Sequence, residues 1–238
     1  MSQPDLPLPD LRQAIAASEW FRELPAELVS QLAALAQHRH LAEGALLFAK
    51  GDAADGLYGL LSGRIRISAT TRDGRDLVVN LFEPGDWFGE ISMFDGLPRT
   101  HNARAVGASE LLLIPRARFH ALLAAQPVLY PHFMQMLCRK LRRSFAWIEY
   151  AAFLPMSARL AARLLELAQD YGETQADGSV LIALHLPQEE LGRMLSTSRQ
   201  TVSKELNALE ARGWIRLDYG RVLIRQPEAL DALVRGAA

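Results

Sequence analysis

Between Pro127 and Pro155 the chain has no glycine, and no proline beyond Pro131. Pro131 falls in the first turn, where its missing N–H costs nothing. The stretch reads as one helix from Pro127 to about Ala152, roughly 38 Å long at ~1.5 Å per residue. Along it Tyr130, Met134, Leu137, Leu141, Phe145, Ile148 and Ala152 recur at steps of 4, 3, 4, 4, 3 and 4. That spacing is close to a coiled-coil seam. A second line, Leu129, Phe133 and Met136, is placed to pack on the region before it. Such a helix is either buried on two faces or shared between two chains, and its length favours the two-chain contact. It divides the chain into three parts: 1–126, the helix and hinge at 127–154, and 155–238. The hinge is Phe153-Leu154-Pro155, because proline disfavours helical geometry in the residue before it.

The part before the helix changes periodicity twice. Residues 1–10 read as a loose arm, and 11–38 carry helical spacing, with Pro25 opening a second short helix. From 40 to 115 short alternating segments take over, among them Arg64–Ser68 and Asp76–Phe82. Lys50-Gly51-Asp52, Ser62-Gly63, Arg72-Asp73-Gly74 and Pro84-Gly85-Asp86 supply turns between them. Many short strands at near-regular spacing predict a small antiparallel barrel or sandwich. His38 and His40 read as flanking a loop. Pro115–Ala125 reads as a short helix.

The part after the hinge is mostly helical, so the whole is α+β. Met156 to Asp170 is amphipathic, 171–179 is a polar loop, and Val180–Leu184 a short strand. LPQEELGRMLSTSRQTVSKELNALEARGWI, residues 186–215, divides into two helices around Ser196-Thr197. Pro187, Glu189 and Glu190 suit the start of the first. Ser198 is a cap for the second, and Gly213 closes it. Gly192 lies where the second helix crosses, so a small residue allows close approach. Val202, Leu206 and Leu209 form the core stripe of the second helix. Arg199, Gln200, Ser203, Lys204 and Asn207 fill an arc of about 140° opposite, at ~100° per residue. Ser198, Arg199, Gln200, Ser203 and Lys204 are side chains that read base edges and phosphates of duplex DNA. Trp214-Ile215 and Arg221–Ile224 supply a wing. A solvated helical hairpin explains the polar arc alone, but not the cap, the small crossing residue and the wing together.

Net charge is −1, and residues 155–238 hold ten Lys/Arg against eleven Asp/Glu. DNA affinity must therefore rest on a local positive face, helped by two copies in a dimer. The lone cysteine, Cys138, permits no internal disulfide and no thiolate cluster, and the six histidines show no metal-ligand spacing. The first residues lack a basic start and apolar run, and no apolar stretch reaches the ~20 residues a bilayer needs. The expectation is a cytoplasmic protein with no membrane partner, metal, iron–sulfur cluster or haem.

FGEISMFDGLPRT, residues 88–100, places Gly89, Arg99 and Thr100 where a phosphate would find hydrogen bonds and charge, yet puts Glu90 in the same turn. An ionised glutamate only accepts hydrogen bonds, so it suits a hydroxyl held away from the phosphate. A short helix starting near Glu90 could aim backbone N–H groups at the anion. The alternative is that Glu90 and Arg99 pair with each other and close a loop.

A strand-rich domain, a long helix and a winged helix-turn-helix, in that order, resemble the CRP/FNR family of bacterial transcription regulators over nearly the whole chain. The phosphate-binding cassette, Phe88-Gly89-Glu90-Ile91-Ser92 through Arg99-Thr100, and the recognition segment Ser198–Lys204 carry the resemblance. Ala152-Phe153-Leu154 and Arg159-Leu160-Ala161 look like the family's hinge. The resemblance implies a homodimer with a β-roll or jelly-roll effector domain and the long helices side by side. It further implies an allosteric effector, cAMP or a related cyclic nucleotide, held by Gly89, Glu90, Ile91, Ser92, Arg99 and Thr100, with Lys140 and Ser144 from the long helix. Arg99 and Thr100 match the holders of the cyclic phosphate, Glu90 that of the ribose 2′-hydroxyl, and Ser144 a threonine that meets adenine. It implies a near-palindromic operator, and contact of loop 171–179 with RNA polymerase. Two positions depart from the pattern: Phe145 and His101 replace small residues and could fill the pocket, change the base accepted or abolish binding. The oxygen-sensing branch needs several cysteines, and no cysteine–histidine pair matches the haem branch. Gln200 stands where many relatives carry glutamate, which predicts a different base in the half-site. An enzyme, or a regulatory subunit on the same barrel, is the rival class. No nucleophile elbow, phosphate-loop lysine or paired carboxylate supports it. A third class is a DNA-binding protein without a ligand.

Overall fold

The computed structural model describes residues 8–18, 20–70, 76–218 and 220–237. They form two compact units, 1–136 and 137–238.

The first unit opens with helices α1 (Leu8–Ala17) and α2 (Ala26–Leu35). Strands β1 (Gln37–Leu41), β2 (Leu46–Phe48), β3 (Gly56–Ser62), β4 (Ile65–Thr70), β5 (Asp76–Phe82) and β6 (Trp87–Phe88) follow. Then come α3 (Glu90–Phe94), β7 (Asn102–Ala105), β8 (Ser109–Pro115) and α4 (Arg116–Ala125). The strands make two four-stranded antiparallel sheets, ordered β1-β8-β3-β6 and β2-β7-β4-β5. This is the β-roll that the resemblance implies, and its two sheets are the antiparallel strands that the alternating segments predict. The alternation decides what each strand buries. On β3 and β8, Tyr58, Leu60, Leu111 and Leu113 join Phe48, Ile65, Phe88 and Ala103 in one cluster. Leu57, Leu112 and Ile114, one residue out of phase, join the helices' cluster around Phe21, Trp87 and Phe119. Leu129, Phe133 and Met136, at the start of the long helix, belong to that second cluster. Phe133 meets Phe119 edge-on at 5.3 Å between centroids.

The second unit holds most of the long helix α5 (Leu129–Phe153) and then α6 (Met156–Tyr171), β9 (Gly172–Thr174) and β10 (Val180–Ile182). It continues with α7 (Gln188–Met194), α8 (Arg199–Ala211), β11 (Ile215–Asp218), β12 (Arg221–Ile224) and α9 (Pro227–Arg235). Its sheet runs β11-β12-β10-β9. Leu160, Leu164, Leu191, Val202, Leu206, Ile215, Ile224 and Leu230 close one core among the helices and the wing.

Several expectations need correction. The first helix begins at Leu8 rather than at 11. His38 and His40 lie on β1, in register with β8, because both rings reach Glu110: His38 Nε2 at 2.7 Å and His40 Nδ1 at 2.8 Å. The polar loop 171–179 contains a strand, since Gly172–Thr174 pairs with β10. A Cβ on Gly172 would fall 2.1 Å from the Ala168 carbonyl, so glycine lets that strand leave the helix end. The Arg72-Asp73-Gly74 turn lies outside the described residues.

Candidate functional site

The cassette is built by the end of β6 and the five-residue helix α3. Gly89 is the residue before α3 and has φ 91°, a left-handed conformation that side chains resist. It also sits tight against the arginine ten residues on, because a Cβ there would lie 2.7 Å from Arg99 Nη1. α3 begins at Glu90, as the sequence predicts. Glu90 and Ser92 are buried, and Ile91 is exposed. Ser92 Oγ donates to the Pro98 carbonyl at 3.2 Å and closes the loop back on α3.

Arg99 is the centre of this site and is only 3 % exposed. Its Nη1 donates to the Gly89 carbonyl at 2.8 Å, and its Nη2 to Asp55 Oδ1 and the Gly56 carbonyl, both at 2.7 Å. Its guanidinium carbon stands 4.3 Å from the centroid of Phe48 and 5.6 Å from that of Tyr58. Asp55, just before β3, also accepts from the Tyr58 hydroxyl. Burial would raise the Asp55 carboxyl, but the bonds from Tyr58 and Arg99 outweigh it and hold it below the usual carboxylate range. Burial, and the carboxylate at its hydroxyl, push Tyr58 up. Sequence reasoning missed Asp55. The available signal was an Asp-Gly pair at the entry to an apolar strand, four residues beyond the Gly51 turn.

Arg99 Nε has no hydrogen-bond partner among the described residues, although it is fully buried. Of the five N–H groups of a guanidinium, three are used. An unsatisfied buried donor costs about 1–3 kcal/mol, so an anionic oxygen beside Nε fits what the site lacks. Thr100 is exposed and shares a 2.9 Å hydrogen bond with His101 Nδ1. Burial, then the charge of Lys50, lower the pKa of His101, which favours the neutral ring. Lys140 and Ser144 belong to the second unit. Ser144 is exposed, and its hydroxyl donates to the Lys140 carbonyl at 3.1 Å. The seam residues Tyr130, Met134, Leu141, Phe145 and Ile148 are 48–64 % exposed, Ala152 is exposed and Leu137 half-buried.

The second site is α8 with its neighbours. Ser198 caps the helix by accepting from Thr201 N at 3.1 Å. Ser196 takes φ 53° in the turn. A Cβ on Gly192 would lie 2.9 Å from the Thr197 carbonyl, so the glycine lets α7 and the turn meet. Val202, Leu206 and Leu209 are buried, at 1 %, 2 % and 1 % exposure. That leaves Ser198, Arg199, Gln200, Ser203, Lys204 and Asn207 to line one open groove together with Gln188 from α7. Gln188 was not among the sequence-predicted contacts. Its cue was its place at the first residue of α7, where side chains and free N–H groups meet a phosphate. β11 and β12 form the wing, with Arg216 and Arg221 exposed. Among the described residues no group of three His, Cys, Asp or Glu side chains is placed to hold a metal ion, and no helix is long and apolar enough to cross a membrane.

Comparison with known proteins covers both regions of the chain. The sequence model of the cyclic nucleotide-binding domain matches residues 38–126, and that of the Crp-like helix-turn-helix domain matches 158–233. The CRP-like cAMP-activated global transcriptional regulator of Mycobacterium tuberculosis is 32% identical over 223 residues, which is 94% of this chain and 99% of that one. The cyclic AMP receptor protein of Thermus thermophilus is 32% identical over 221 residues, 93% and 99% of the two chains. The crystal structure of a CRP/FNR-family transcriptional regulator from Thermus thermophilus superposes with a TM-score of 0.66 at 27% identity, covering 85% of this chain and all of that one. A cyclic nucleotide-binding β-roll and a winged helix-turn-helix together define a DNA-binding transcription regulator rather than an enzyme. The chain belongs to the CRP/FNR family.

Proposed function

We propose that the chain acts as a homodimer whose DNA binding is controlled by a cyclic nucleotide, cAMP or a close relative, held by the cassette. The observation that carries this reading is the buried Arg99 with an unsatisfied Nε, in one cassette with a buried Glu90 at the start of α3. A cyclic phosphate supplies the missing acceptor, with Thr100 alongside. Glu90 then accepts from a ribose hydroxyl at the other end of the molecule, with Gly89, Ile91 and Ser92 shaping the turn between. The cAMP-activated relatives support that choice of nucleotide. Lys140 and Ser144 are proposed for the base on the resemblance alone. The seam from Tyr130 to Ala152, apolar and largely exposed, supports the side-by-side helix contact.

On DNA, Arg199 addresses guanine, Gln200 adenine, and Lys204 a guanine or phosphate, while Ser198 and Ser203 hold the backbone. The target is a near-palindromic operator, the place of action is the cytoplasm, and loop 171–179 is a surface for RNA polymerase. Calorimetric titration with cAMP, cGMP and cyclic dinucleotides tests the effector, and a footprint with and without nucleotide tests the coupling. Absence of heat with every nucleotide sinks the cyclic-nucleotide reading. A footprint indifferent to nucleotide leaves a DNA-binding protein without a ligand.

A further inference from the structure

We propose that Glu166 is a positioning residue that clamps the C-terminal half of α5 to the DNA-reading head and sets the angle at which the head is carried. The inference rests on the homodimer reading for its effect on DNA, and on the second unit alone for its geometry.

α5 ends at Phe153 and α6 begins at Met156, leaving Leu154-Pro155 between them. Pro155 has no N–H, so the helical hydrogen-bond ladder cannot run through the junction. The angle between the helices must come from side chains. Trp147 and Tyr150 supply part of it by packing on the head's core, but apolar contacts tolerate sliding. Glu166 supplies direction. Its Oε1 accepts from Arg143 Nε at 3.1 Å and Nη2 at 2.8 Å, and its Oε2 from Arg163 Nη1 at 2.5 Å. Trp147 Nε1 lies 3.1 Å from both oxygens. One carboxylate on α6 therefore fixes two side chains of α5.

The network reaches further on both sides. Arg143 also donates to Asp170 at 2.6 Å. Arg163 stands over the Trp147 ring at 5.2 Å and points its Nη2 at Met194 Sδ, 3.5 Å away on α7. Arg159, one turn earlier on α6, donates to the Leu195 carbonyl at 2.8 Å, at the entry to the recognition turn. Polar contacts thus run from α5 through α6 to the helix preceding α8. Glu166 is largely buried, its side chain 17% exposed. Burial would raise its pKa, but Arg163, Arg143 and Trp147 outweigh that and keep it ionised. Bonds between ions of this kind are short and directional, and a fixed angle benefits a dimer only when both heads must meet two half-sites at once.

The test is Glu166→Gln in the full chain, which keeps the shape and removes the charge. On a palindromic duplex affinity should fall about tenfold, and on a single half-site it should change less than twofold, because only the pre-set angle is lost. Adding Arg143→Met to Glu166→Gln should lower palindrome affinity further by less than the first substitution does, since only the Arg143–Asp170 contact is left to lose. Hydrogen exchange of the amides from Arg143 to Leu154 should rise, and melting temperature should fall because buried Arg163 loses its anion. Equal loss on both duplexes, no loss on either, a gain on the palindrome or unaltered exchange overturns the clamp. If the wild-type chain draws no benefit from a second half-site, the homodimer reading falls, and the exchange measurement alone then decides the clamp.

Discussion

Arg99 and Arg199 are two arginines of one chain in opposite circumstances. Arg99 is buried, braced by two carbonyls, one carboxylate and an aromatic face before any ligand arrives. Arg199 stands exposed in the first turn of α8. The first has already lost its rotamer freedom on folding, so an anion meets a rigid fork at little further cost in ordering entropy. The second keeps that freedom until DNA fixes it, and so can adjust to a groove that varies along its length. Rigidity suits a small ligand of constant shape, and adaptability suits a long polymer.

Substitutions sharpen the contrast. Arg99→Ala should have the largest effect: it should abolish calorimetric heat with nucleotide and also cost about 1–3 kcal/mol in denaturant unfolding, since the Gly89 and Gly56 carbonyls lose their donor. Arg199→Ala should leave unfolding unchanged but lower operator affinity by about 5- to 150-fold, the span of ~1–3 kcal/mol, in fluorescence anisotropy. An Arg99→Ala protein as stable as wild type would break the comparison. Gln200→Glu should move the preferred base at one position per half-site from adenine to cytosine in a binding-site selection, with overall affinity changed less than by Arg199→Ala.

Asp55 gives a pH signature of its own. Its carboxyl is lowered in the fold from 3.8. The stabilisation is therefore complete above the unfolded value and fades as pH falls through the lower folded one. Acid titration of unfolding stability should steepen below about pH 4, and Asp55→Asn should flatten that limb. The smallest effect belongs to Ser198→Ala, where loss of the cap on Thr201 N should cost about 1 kcal/mol, read as a melting shift of a few degrees.

Those elements that rest on local rules were legible in the sequence. The α8 boundaries follow from a capping serine and a terminal glycine with φ 74°. The β5 segment follows from alternation, and the two lines on α5 from helical spacing. What escaped rests on partners distant in sequence. Asp55 meets Arg99 across 44 residues, and His40 meets Glu110 across 70. No periodicity records such a pair. The histidines read as loop residues because polar side chains at an edge strand break the alternation that marks a strand. β9 escaped because its three exposed residues bury nothing of their own.

The start of α5 has a practical consequence for dissecting this protein. Leu129, Phe133 and Met136 are core residues of the first unit, at 0 %, 1 % and 4 % exposure, although they sit on the helix that carries the seam. A fragment that stops at Gln126 would leave Phe21, Trp87 and Phe119 facing water and would tend to aggregate. One that runs through Met136 keeps the lid on that core. Grafting the first unit onto another module should accordingly splice inside the helix, after its second turn, and keep the helical phase unbroken across the joint.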